Sequence, residues 1–162
     1  MLNNRVVVVY DKEADLQYWP LIEPLAKRLS EKLATAVLVA VNHDDDMLAY
    51  VLYERGKHMD TYSSSPKFVE NAANETGPIG GNPTIICEAF GSQDVDAVHA
   101  VLQKPSAGED GGYVFALDRH RDLMQALGMT SQAFFVGYNY LDAGEFPPDL
   151  SKTDFIEVGG KP

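Results

Sequence analysis

The chain has 162 residues, 45% of them apolar, and its 24 Asp and Glu against 13 Lys and Arg give a formal net charge of −11. That length suits one core burying about two thirds of the unfolded chain's surface, and the composition excludes intrinsic disorder and leaves no apolar run near the about 20 residues of a membrane span. A single cysteine, Cys87, excludes an intramolecular disulfide and a Cys-based zinc site; with the acidic balance and no signal-peptide pattern in residues 1–10, the expectation is a cytoplasmic, soluble protein that avoids nucleic acid and membranes and favours a basic protein partner or a cation.

Arg5–Tyr10 (RVVVVY) is a β-branched run too short for a helix, which predicts a buried strand central in a sheet. Residues 21–33 place Leu21, Ile22, Leu25, Ala26, Leu29 and Leu33 at helical spacing, with Lys27, Arg28, Glu31 and Lys32 opposite. Pro24 is cheap only in a first turn, so the regular helix should start near Leu21, after a turn containing Trp19-Pro20. Ala36–Asn42 and Met47–Glu54 flank the polar hairpin His43–Asp46, and Arg55-Gly56 suits a type I′ turn into Lys57–Ser63. Direct pairing then opposes Glu54 with Lys57, Tyr53 with His58, Leu52 with Met59 and Val51 with Asp60. One face would carry Tyr50, Leu52 and Met59, the other Val51, Tyr53, His58, Asp60 and Tyr62.

Residues 63–82 read as a long loop, with one helical turn around Phe68–Ala72. Asn82-Pro83 reads as an N-cap and first helical residue of a helix running to Phe90 and ended by Gly91. Ser92 is the expected cap of Gln93–Gln103, which buries Val95, Val98, Val101 and Leu102 before Lys104-Pro105 stops it and the loop SAGEDGG follows. Tyr113–Leu127 aligns Tyr113, Ala116, Leu117, His120, Leu123, Met124 and Leu127 on one face, and Gly128 supplies the C′ position. Ala133–Tyr140 reads as a last strand, and the tail from Gly144 as a surface wrap. Strands first and helices after predict one α+β domain, with a mainly antiparallel four- or five-stranded sheet and helices packed on one face.

No motif specifies a reaction or calls for a cofactor. His120 interrupts an apolar helical face, as either a general base in a cleft or a core histidine satisfied by a carbonyl and a tyrosine; the core role is three times the commoner. The face bearing Tyr53, His58, Asp60 and Tyr62 offers a His–Asp pair for acid–base work and two tyrosines for binding, although a solvated polar cluster has the same pattern. His43-Asp44-Asp45-Asp46 lacks the glycine and distal glutamate of a calcium loop, so no metal site is assigned. Gly77–Gly81 lacks the dinucleotide and Walker spacings, and Ser63-Ser64-Ser65 lacks a nucleophile elbow. Cys87 reads as a buried thiol.

Taken together, YERG at 53–56, DTYSSSP at 60–66, RHRDLMQALGM at 119–129 and FFVGYNYLDAGEFP at 134–147 resemble a group of soluble, mostly bacterial proteins of similar size and uncharacterised activity. The resemblance runs over roughly residues 35–150 and implies a single α+β domain, with no activity, cofactor or catalytic residue attached. The function expected from charge and aromatic content is a non-enzymatic acidic binding or inhibitor protein, immunity-like in mode, that caps a basic protein. The alternative is a small-molecule or metal-binding enzyme or sensor with its site where His58, Asp60 and His120 converge.

Overall fold

The computed structural model of the chain describes residues 6–66, 77–106 and 111–158; the helical turn expected around Phe68–Ala72 and most of the SAGEDGG loop lie outside them. Helix α1 (Trp19–Leu33) starts two residues before Leu21, because Pro20 occupies the first turn and Pro24 is accommodated inside the helix. Pro24 costs only the bond that its missing N–H would have made to the Pro20 carbonyl. The buried stripe of α1 is Ile22, Ala26 and Ser30, while Leu21 and Leu33 face outward. Ser30 is tolerated in that stripe because its hydroxyl donates to the Lys27 carbonyl at 2.8 Å and accepts from Gly56 N–H at 2.9 Å.

Four antiparallel strands form one sheet in the order β1 (Ala36–His43), β2 (Met47–Glu54), β3 (Lys57–Ser63) and β4 (Ile79–Gly80). His43 pairs with Met47, so the first hairpin connection is the three residues Asp44–Asp46. Arg55 and Gly56 both have positive φ, 49° and 79°, as the type I′ turn requires. β4 ends at Gly80, where φ is +70° and a Cβ would stand 2.1 Å from the Thr61 carbonyl oxygen, so no other residue fits.

The β2–β3 register begins as expected, with Glu54 opposite Lys57 and Tyr53 opposite His58, and then shifts by one residue. Met59 is the extra residue of a β-bulge, and Leu52 pairs with Asp60, Val51 with Thr61 and Tyr50 with Tyr62. Because side chains alternate strictly along a strand, this single insertion moves Asp60 and Tyr62 to the face opposite His58.

The two faces carry different layers. Helices α2 (Pro83–Phe90), α3 (Val95–Gln103) and α4 (Ala116–Ala126) pack on the face of Leu48, Tyr50 and Tyr62, and close a core with Ile86, Val98, Leu102 and Leu123. The expectation of helices on one face alone is corrected, because the sheet is covered on both. α1 covers the other face, where Ala26 meets Val51 and Tyr53 with Trp19, Val37 and Val39 at the border. Asn82 caps α2 through Thr84 and Ile85 N–H groups, and Gly91 ends it at φ 72°, as expected. Asp94, not Ser92, caps α3, because Ser92 turns its hydroxyl to the Ala126 carbonyl of α4.

Two expected strands are corrected. Val6–Tyr10 lies outside the sheet, with Val7 85% exposed and Val9 58% exposed, and Tyr10 bonds the Ala133 carbonyl at 2.6 Å. β-Branched composition alone does not supply a neighbouring strand to pair with. Residues 133–140 form a 3-10 turn (Gln132–Phe135) and the short helix α5 (Tyr138–Asp142). The cause is remote: the Asp15 carboxylate accepts from the Tyr138 and Asn139 N–H groups at 2.9 and 2.7 Å, which caps a helical turn where a strand would leave those donors idle.

Candidate functional site

His58 and Asp60, expected side by side, are parted by the bulge at Met59. His58 stands edge-on to Tyr53 with centroids 5.6 Å apart, its Nε2 lies 2.6 Å from Thr61 Oγ1, and the residue is exposed. Asp60 Oδ2 instead accepts from Tyr50 hydroxyl and Asn82 N–H, each at 2.7 Å, and so ties the sheet to the start of α2. Burial, reinforced by that carboxylate, pushes the Tyr50 hydroxyl well above the ordinary tyrosine range. Tyr53 and Tyr62 are both buried, so neither ring presents a contact surface.

His120 is 6% exposed and edge-on to Phe135 at 5.0 Å, and among the described residues no hydrogen bond reaches its ring. An aromatic edge takes the place of the carbonyl and tyrosine expected as partners. Desolvation pulls its pKa from 6.5 to about 4, so the imidazole is neutral at pH 7. No hydrogen bond or ion pair among the described residues joins any two of His58, Asp60 and His120. Among those residues no group of three or more His, Cys, Asp or Glu side chains is placed to hold a metal ion.

The largest fully buried side chain among the described residues is a charged one, which was not expected on the apolar face of α4. Arg119 is 0% exposed, and its guanidinium donates to the Tyr62 hydroxyl and the Val101 carbonyl, both at 2.9 Å, and to Ser106 Oγ at 3.1 Å. Its plane lies over the Tyr113 ring at 4.5 Å, and Lys104 Nζ sits 4.3 Å from the same ring. Burial lowers the Arg119 pKa and raises the hydroxyl of Tyr62 to about 12. The group joins β3, α3 and α4 through neutral acceptors and a π face, which is a means of fixing three elements to one charge. A signal existed in the sequence: position 119 is three after Ala116 and four before Leu123, on the same stripe as His120.

Aspartates do similar work at the surface. Asp45 Oδ1 accepts from Leu117 N–H at 2.7 Å, so the polar hairpin tip, to which no metal site is assigned, caps the N-terminus of α4. Asp149 accepts from Ser131 and Gln132 in the same manner. Beside Gly77–Gly81, Gly81 N–H donates to the Thr61 carbonyl and Asn82 N–H to Asp60, so these two donors are committed internally. Ser64 Oγ accepts from Leu48 N–H and Ser63 Oγ donates to the Ser65 carbonyl. Cys87 is buried, and desolvation raises its thiol pKa.

Among the described residues a surface groove lies between the N-terminal segment and α1. It has a volume of about 210 Å³ and is lined by Asp11, Glu13, Leu21, Ile22, Leu25 and Arg28 among others. Leu16 and Tyr18, in the segment that leads into α1, are 71% and 57% exposed. No helix among the described residues is long and apolar enough to cross a membrane. Compared with protein-family models, with curated proteins and with solved structures, the chain matches none.

Proposed function

We propose that the protein is an acidic binding or inhibitor module that acts by contact with a basic protein. The supporting observation is the groove at α1, lined by Leu21, Ile22 and Leu25 together with the carboxylates of Asp11 and Glu13 and the guanidinium of Arg28, in a chain of net charge −11. Apolar contact supplies affinity and the acidic rim selects and steers a cationic partner, a division of labour common to charged interfaces. The exposed Leu16 and Tyr18 extend the apolar contact beyond the groove.

The test is capture from the native host at low ionic strength, with crosslinking, by the wild-type chain and by a Glu13→Gln/Tyr18→Ala variant of equal melting temperature. A basic protein retained by the first and lost by the second supports the reading. Retention should also weaken with salt, as the Debye length falls from about 30 Å at 0.01 M to about 8 Å at 0.15 M. Equal recovery by both chains, or no basic protein at any salt, overturns it.

A further inference from the structure

Two cations share one aromatic ring on the α3–α4 side of the sheet. Arg119 stands 4.5 Å and Lys104 4.3 Å from the centre of the Tyr113 ring. Among the described residues no carboxylate is in ion-pair contact with either, although the chain carries a net charge of −11. Asp122 meets the cluster at the Tyr113 hydroxyl, at 2.6 Å, and not at a cation. Burial lowers the Arg119 pKa, and the groups that support its charge are the hydroxyls of Tyr62 and Tyr113. A buried charge held by neutral partners alone is costly, and a dianion brought to it offsets that cost.

One hydroxyl joins this cluster to solvent. Ser106 is exposed, and its Oγ accepts from the Arg119 guanidinium at 3.1 Å while donating to the Ser64 carbonyl at 3.0 Å. The main chain beside it is held in place, since Tyr113 N–H donates to the Pro105 carbonyl at 3.0 Å and Ser106 bridges to Tyr113. The other hydroxyl on the guanidinium, that of Tyr62, is buried. Ser64 is buried too, and its Oγ is committed to Leu48 N–H.

We propose that Ser106 is a phosphorylation site whose phosphate is received by Arg119 and Lys104. A protein kinase transfers the γ-phosphoryl group of a nucleoside triphosphate: the bond to Ser106 Oγ forms, the bond to the β-phosphate oxygen breaks, the hydroxyl proton passes to the kinase's base and the nucleoside diphosphate leaves. Phosphoserine carries about −1.5 to −2 at pH 7, which matches two positive charges. Its oxygens take charge-assisted hydrogen bonds in place of the neutral one that Ser106 accepts, and the bond to the Ser64 carbonyl is given up in exchange. The modification clamps the segment after α3 to α4. That cluster lies on the opposite face of the sheet from α1, so the proposal is independent of the reading of the α1 groove.

The experiment compares the full chain carrying genetically encoded phosphoserine at position 106 with the unmodified chain, by phosphorus NMR titration and thermal melting. The phosphate's second pKa, about 6 in a free peptide, should fall to about 5 or below, and the melting temperature at neutral pH should rise. Arg119→Met, which refills the volume without the charge, should return that pKa to about 6. Lys104→Met should return it part of the way, and because Lys104 is only half-buried this arm does not depend on the core variant folding. A phosphate that titrates at about 6 on the folded wild-type chain, or a lowered melting temperature, overturns the proposal. Mass spectrometry of the chain isolated from its native host with phosphatase inhibitors should find phosphate on Ser106, and its absence across growth conditions overturns the modification. Inorganic phosphate added to the unmodified chain separates the sources: a rise in melting temperature that Lys104→Met abolishes makes a free anion the occupant and also overturns it.

Discussion

The two faces of the sheet solve one problem in different ways. Each holds a tyrosine bonded to a carboxylate, Tyr50 to Asp60 under α2–α4 and Tyr53 to Glu23 under α1. On the first face the pair continues into a buried network in which Tyr50 stacks on Tyr62 at 5.3 Å and Tyr62 accepts from Arg119. On the second the polar atoms sit at the border: Glu23 is half-buried, and Tyr53 meets the exposed His58. The difference teaches that burial, not residue type, decides what a polar pair is worth. A group removed from water carries its full desolvation cost if a partner is lost, while a border group recovers water.

The comparison breaks first at Arg119. Arg119→Ala should lower stability by about 3–5 kcal/mol in urea unfolding, from a cavity and an unsatisfied Val101 carbonyl, and Arg119→Met should cost less because it refills the volume without a charge. An Arg119→Ala effect below that of Tyr53→Phe would show the first network to be idle. His120 comes next. Its folded pKa is depressed from 6.5 to about 4, so between these values the unfolded state binds the proton more readily. The contribution is therefore full above pH 6.5 and is lost as pH falls toward 4, by about 3 kcal/mol in total, and His120→Gln should flatten that part of the pH–stability curve. At neutral pH His120→Ala should cost about 1–4 kcal/mol.

Tyr62→Phe removes the hydroxyl between Arg119 and the Leu102 carbonyl and should cost about 1–3 kcal/mol, against less than about 1 for Tyr53→Phe. Paired urea titrations of the two variants sharpen the comparison directly, and equal costs would refute it. Smallest of all, Glu13→Gln and Asp46→Asn should shift thermal stability by no more than about 0.5 kcal/mol, since both are exposed. Any larger loss would mean that these acids, like Asp45, support the fold and not its surface.

Much of this molecule is written locally. The helix α1, the β1–β2 and β2–β3 turns, the Asn82-Pro83 start of α2 and most of the apolar face of α4 follow from periodicity, capping and turn chemistry, all of which act over a few residues, whereas Leu21 and Leu33 of the expected α1 stripe face outward. What escaped such reading involves partners far apart in the chain. Asp15 turns residues 138–142 into a helix across 123 residues, and Asp45 caps α4 across 72. Val6–Tyr10 has the composition of a strand, yet Val7 and Val9 face outward, because a strand also needs a neighbour. The candidate His58–Asp60 pair depended on register, and one bulge residue, Met59, was enough to send the two side chains to opposite faces.

Arg119 marks the boundary most clearly. Helical spacing aligns it with Ala116 and Leu123 on the buried stripe of α4, although a charge at that position is expected on the solvated side. Whether an arginine there could remain charged and dry was decided by the tertiary structure. Only the fold brings the Tyr62 hydroxyl, the Val101 carbonyl, Ser106 and the Tyr113 ring around one guanidinium, from strand, helix and loop segments up to 57 residues away. Local spacing determines which face a side chain takes, because the helix repeats every 3.6 residues, to within about one position. The partners that make burial affordable come from three-dimensional packing, which no short window of sequence contains.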